Sequence, residues 1–186
     1  WFAFLGLFFL PVTWANQPPW KTTSSTNQTI AKTILLPAGY SRFKMPTSSF
    51  GAWLRQLPLK PMNSPVKLHN GKLKPNQSAH YAVIDIDTGK RDLQQCADAV
   101  MRLRAEYLFA IDKKESISFN FTSGHAAKYA MWRKGYRPSI NGNKVKWLKQ
   151  TTADDSYQSF RKYLNSVFTY AGSYSLSKEL VSRDVN

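Results

Sequence analysis

Between residues 80 and 121 the chain changes its apolar period twice. HYAVIDID alternates, with His80, Ala82, Ile84 and Ile86 on one side and Tyr81, Val83, Asp85 and Asp87 on the other. Thr88-Gly89 interrupts it, and DLQQCADAVMRLRAEYLFA (residues 92–110) then repeats apolar residues at spacings of three and four. Lys113-Lys114 leads into SISFNF, which alternates again through Ile117, Phe119 and Phe121. A period of about 2 marks a half-buried strand, and one of about 3.6 an amphipathic helix. A chain that must bury both kinds of face has to mix helix and sheet.

Further signals extend this frame. TILLPAGYSRF reads as a short strand ended by Pro37 and Gly39. Ser49 is placed to cap a helix over SFGAWLRQL, with Phe50, Trp53, Leu54 and Leu57 facing inward and Pro58 stopping it. His69-Asn70-Gly71-Lys72 and Asn141-Gly142 read as hairpin turns, because Asn-Gly accepts positive φ at low cost. Ser123-Gly124 reads as the entry to a helix over HAAKYAMWRK, stopped by Gly135. A long helix is expected from Asp155 to Tyr170, with Tyr157, Phe160, Leu164, Val167 and Phe168 inward. Gly172 ends it, and SLSKELVSR forms a last short helix. The expected class is α+β: one domain over 29–186, with a mixed or antiparallel sheet packed against several helices.

The residues before that domain read differently. WFAFLGLFFLPV is too short to span a bilayer in the usual way and resembles the apolar part of a secretory signal, with Thr13-Trp14-Ala15 as the cleavage site. On that reading the charged start of the signal and the initiator Met precede Trp1. Residues 1–15 are then a signal remnant, 16–28 a polar linker, and the mature protein is exported to the periplasm or cell envelope.

A hydrophobic content of 42% with 14% aromatics excludes a disordered chain and supplies a core of useful size. The single cysteine excludes an internal disulfide. His69, His80 and His125 lie far apart, with no CxxC or HExxH, so no metal site and no cofactor is expected. The net charge is +15, and no acidic residue occurs before Asp85. That field favours an anionic envelope polymer such as peptidoglycan, with anionic lipid headgroups as a second surface. No nucleic-acid motif is present, and export argues against a chromosomal role. Trp53, Trp132, Tyr136 and Trp147 lie beside basic residues, as sugar-stacking rings do and as core rings with snorkelling lysines also do.

The chemistry concentrates in residues 92–110. Leu93, Cys96, Val100, Leu103 and Tyr107 form one stripe, which makes Cys96 a small core residue by default. If Asp92 caps the helix, Cys96 instead sits in the first turn, where thiol nucleophiles are often found, with His125 as its base. Asp98, Arg102 and Glu106 form a second stripe at i, i+4 spacing. As exposed pairs each would add a few tenths of a kcal/mol, ~0.2–0.5. Alternatively Glu106 is an acid or base, with Asp85 or Asp87 as a second carboxylate, as glycosidic cleavage requires. Gln95, Asp98, Arg102 and Arg104 are the candidate substrate-binding residues, the arginines for an anionic group.

Five segments, TILLPAGYSRF, SFGAWLRQLPLKP, AVIDIDTGKRDLQQCADAVMRLRAEYL, ISFNFTSG and YLNSVFTYAGSYSLSKEL, resemble in order an exported bacterial family, domain of unknown function number 4846. The resemblance runs from about residue 29 to residue 180. It implies an exported envelope protein of Gram-negative bacteria, often a lipoprotein, and transfers no catalytic residues. It places Gln94, Gln95, Cys96, Asp98, Arg102, Arg104 and Glu106 within the family's most specific stretch. No lipobox cysteine follows the apolar run here. The functional expectation is a peptidoglycan hydrolase using Cys96 with His125, or Glu106 with Asp87. The alternative is a non-catalytic envelope binding or assembly protein whose signature helix is structural.

Overall fold

Two helices of unequal character organise the fold of this computed structural model, which describes residues 27–181. The expected signal remnant, and the linker up to residue 26, lie outside the described residues. In chain order the elements are α1 (Ile30–Thr33), α2 (Phe50–Arg55), α3 (Cys96–Ala110), a single 3₁₀ turn (Lys114–Ser116), β1 (Ser118–Asn120), β2 (Ala126–Lys128), α4 (Tyr129–Arg133), β3 (Tyr136–Asn141), β4 (Lys144–Lys149), α5 (Tyr157–Tyr170) and α6 (Ser173–Glu179). β1 pairs antiparallel with β2, and β3 with β4, as two separate two-stranded sheets. This is an α+β fold.

Helix α5 follows from its sequence directly. Ser156 caps it by accepting from the Ser159 N–H, and Phe160, Tyr163, Leu164 and Val167 are fully buried. Full burial of one such side chain is worth about 1.5–3 kcal/mol. Phe160 stacks on Phe109 of α3 at 4.5 Å between ring centroids, so α3 and α5 meet through aromatic rings. Polar handles fix the neighbouring layers. The Trp132 indole donates to Ser159 Oγ, and the Tyr163 hydroxyl donates to the Ala127 carbonyl. Ile117, Phe119 and Phe121 are buried as the alternation of SISFNF requires. Asn141-Gly142 closes the β3–β4 hairpin, with Gly142 at φ +56°. Ser49 caps α2 by accepting from the Ala52 N–H.

Three expected elements differ. TILLPAGYSRF holds no strand. Its first residue ends α1, and Leu35 is exposed. HAAKYAMWRK splits into β2 and the short α4, because the turn at Gly124 (φ +82°) returns the chain as a hairpin. HYAVIDID is extended but not a regular strand. Its neighbour is 57-LPLKP-61, and a proline has no N–H to donate to a ladder. What remains is a set of single bridges across segments 28–30, 57–60 and 83–85. Leu59 donates to Gln28, Ile30 to Leu57, Lys60 to Val83 and Asp85 to Pro58. Asp85, not the apolar side of the run, is the most buried residue there. Among the described residues no helix is long and apolar enough to cross a membrane.

Candidate functional site

The register of α3 decides the site. Gln94 adopts φ +67°, and Gln95, rather than Asp92, is the N-cap. Asp92 lies on the preceding loop, 3.4 Å from His69 Nδ1. The helix therefore begins at Cys96 and buries Ala97, Met101, Ala105 and Leu108. The expected core stripe is overturned at two places, since Cys96 and Val100 are exposed. The expected solvent stripe is overturned too: Asp98 is 7% exposed, and Arg102 and Glu106 are both at 0%.

Arg102 is the centre of a buried network. Its Nε donates to Glu106 Oε1 at 2.6 Å. Its Nη1 donates to Gln94 Oε1 at 2.7 Å and to the Asp87 carbonyl at 3.0 Å. Tyr157 of α5 donates its hydroxyl to the same Glu106 oxygen at 2.8 Å. Burial raises the Glu106 pKa, against the pull of the Arg102 charge and the Tyr157 hydroxyl. Asp87 Oδ2 lies 4.0 Å from Arg102 Nη2 and 3.5 Å from Arg161 Nη2. Burial lowers the Arg161 pKa, and the nearby Arg102 charge adds to that shift. The structure thus brings Glu106 and Asp87 to one arginine, with Glu106 sealed and Asp87 exposed. Asp85 is buried, and its N–H donates to the Pro58 carbonyl. Arg104 is also elsewhere, exposed over the Phe50 and Tyr107 rings at 5.4 Å.

Beyond the N-terminus of this network lies an open cleft of ≈ 400 Å³, lined by Leu93, Gln95, Cys96, Asp98, Phe168 and Ser173 among others. Asp98 Oδ2 accepts the Gln95 N–H at 3.0 Å, while its Oδ1 is buried without a partner. Burial raises the Asp98 pKa, against the N–H groups of Gln95 and Gln94. His125 is not among the cleft residues. Its Nε2 accepts the Trp147 indole N–H at 3.0 Å. Its turn is nevertheless anchored nearby, because the Thr122 N–H donates to Tyr170, immediately before the cleft residues Ala171 and Gly172.

The family described as Domain of unknown function (4846) matches residues 30–186. The chain belongs to this family. No curated protein and no solved structure matches it.

In this member of family 4846, Cys96, Gln95 and Asp98 share the cleft, and Arg102, Glu106 and Asp87 share the network. Sequence reasoning missed two partners on α5. Periodicity makes Tyr157 a core residue and does not mark Arg161. Their i, i+4 spacing, which puts both on one helix face, is the sequence signal that links them. Among the described residues no group of three or more His, Cys, Asp or Glu side chains is arranged to hold a metal ion.

Proposed function

We propose that the protein is an exported cell-envelope hydrolase that cleaves an amide bond of peptidoglycan, with Cys96 as nucleophile and His125 as base. The observation that carries this is the place of Cys96: exposed, at the first residue of a 15-residue helix, on the wall of a cleft. N–H groups of a first helical turn stabilise the oxyanion that forms when sulfur adds to a carbonyl. His125 takes the thiol proton as the S–C bond forms, and gives it to the leaving amine as the C–N bond breaks. Water then hydrolyses the thioester. For this the histidine must release Trp147 and turn toward the cleft. The net charge of +15 draws the protein to an acidic polymer.

The test mixes protein with isolated cell-wall sacculi and assays pellet and supernatant. Soluble fragments from wild type that disappear in Cys96→Ala and in His125→Ala, both with wild-type melting temperatures, support the assignment. Undiminished release by Cys96→Ala removes Cys96 from the role, and Glu106→Gln, run alongside, tests the carboxylate pair.

A second reading is favoured by the Trp147–His125 bond and by the sealing of Glu106: a non-catalytic wall-binding or assembly protein. It predicts protein in the pellet and no fragments from wild type.

A further inference from the structure

We infer that the cleft at the start of α3 is a site for a cationic amine, held by the Asp98 carboxylate beside the Cys96 thiol. As a statement about the substrate it rests on the hydrolase reading; as a statement about binding it does not.

A thiol at a helix start is not a binding site on its own. The second observation is Asp98. It is 93% buried by its 7% exposure, it lines the cleft, and its Oδ1 has no donor. A buried acceptor without a partner is costly, so something that enters the cleft with an N–H to give is favoured there. The other oxygen is pinned by the Gln95 N–H, which fixes the direction of the carboxylate. Burial has raised the Asp98 pKa, so an ammonium group would supply the counter-charge the site lacks. Asp92 adds a second carboxylate to the same cleft. Leu93 and Phe168 give it an apolar wall, against which the alkyl part of an amine can lie. The cleft therefore runs against the charge of the whole chain, two carboxylates in a protein of net +15.

That contrast supplies the test, because Cys96 reports from inside the cleft and is the chain's one thiol. The full chain is treated with two methanethiosulfonate reagents, one carrying trimethylammonium and one carrying sulfonate. In each the thiolate attacks the reagent's sulfenyl sulfur, a mixed disulfide forms and methanesulfinate leaves. Rates are read by mass spectrometry and divided by those for glutathione. At about 0.15 M salt the screening length is about 8 Å, so distant lysines contribute little and Asp98 dominates.

The expected result is a normalised rate several-fold higher for the cationic reagent, with that preference lost in Asp98→Asn and reduced in Asp92→Asn. Cadaverine should slow labelling by neutral iodoacetamide, and glutarate should not. A faster anionic reagent on wild type overturns the inference, as does an unchanged ratio in both variants. If Asp98→Asn fails to fold, Asp92→Asn and the cadaverine competition decide the matter. Labelling needs no turnover, so the two readings fail separately. Charge selectivity without wall hydrolysis leaves an amine site and removes the enzyme, while hydrolysis with anionic selectivity does the reverse.

Discussion

The inner face of α3 and its first turn lie within a few residues of each other and are built on opposite terms. On the inner face opposite charges are paired with one another, although Glu106 Oε2 and Arg161 Nη1 are buried without a hydrogen-bond partner. Arg102 meets Glu106, Gln94 and the Asp87 carbonyl, and Glu106 also meets Tyr157. In the first turn one carboxylate oxygen is unanswered and the thiol faces the cleft. A buried network built on an ion pair holds elements in one arrangement. An unpartnered oxygen beside a cleft stores a cost that a ligand can relieve. The difference separates the buried face of the helix from the end that opens on the cleft.

The comparison is broken most severely at Arg102. Arg102→Met leaves Glu106 buried without its cation and should cost about 3–5 kcal/mol, read as a lower urea midpoint. Adding Glu106→Met should return most of that loss, since the double change removes the uncompensated charge along with the pair. Additive losses would mean that the two residues are not coupled. Tyr157→Phe removes one donor and should cost about 1–3 kcal/mol.

The next effect concerns pH. The folded pKa of Glu106 lies above its ordinary value of 4.5, so its contribution to stability is complete below that value and declines as pH rises through the raised one. Melting curves of wild type and Glu106→Gln should therefore diverge with pH. The wild type loses ground relative to the variant as pH climbs from about 4.5. A gap moving in wild type's favour would contradict the assigned shift. The smallest expected effect is at the open end. Cys96→Ala should change stability by no more than about 0.5 kcal/mol, as surface substitutions do, and a drop of several kcal/mol would place the thiol in the core after all.

Much of the frame was legible because its period is strong and its breaks are local. SISFNF, the Asn141-Gly142 hairpin, the Ser49 cap and the apolar face of α5 needed no distant information. The register of α3 did need it. Leu93, Cys96, Val100 and Leu103 keep helical spacing, but so do Ala97, Met101, Ala105 and Leu108. Periodicity alone does not choose between them. The choice is made by groups far along the chain, chiefly Tyr157, which lies 51 residues beyond Glu106. The failure of HYAVIDID to form a strand has the same origin, since its neighbour's prolines matter only once the two segments are side by side.

Gln94 belongs to both ends of the comparison. Its left-handed backbone lets its side chain hold Arg102 while the next N–H, that of Gln95, holds Asp98. Occupancy of the cleft and integrity of the network are thereby yoked through one residue. A small molecule seated on Asp98 should raise the melting temperature by mass action, about 2.7 kcal/mol at a hundredfold excess over its dissociation constant. A thermal-shift screen of amines thus becomes a route to the ligand that needs no knowledge of the reaction.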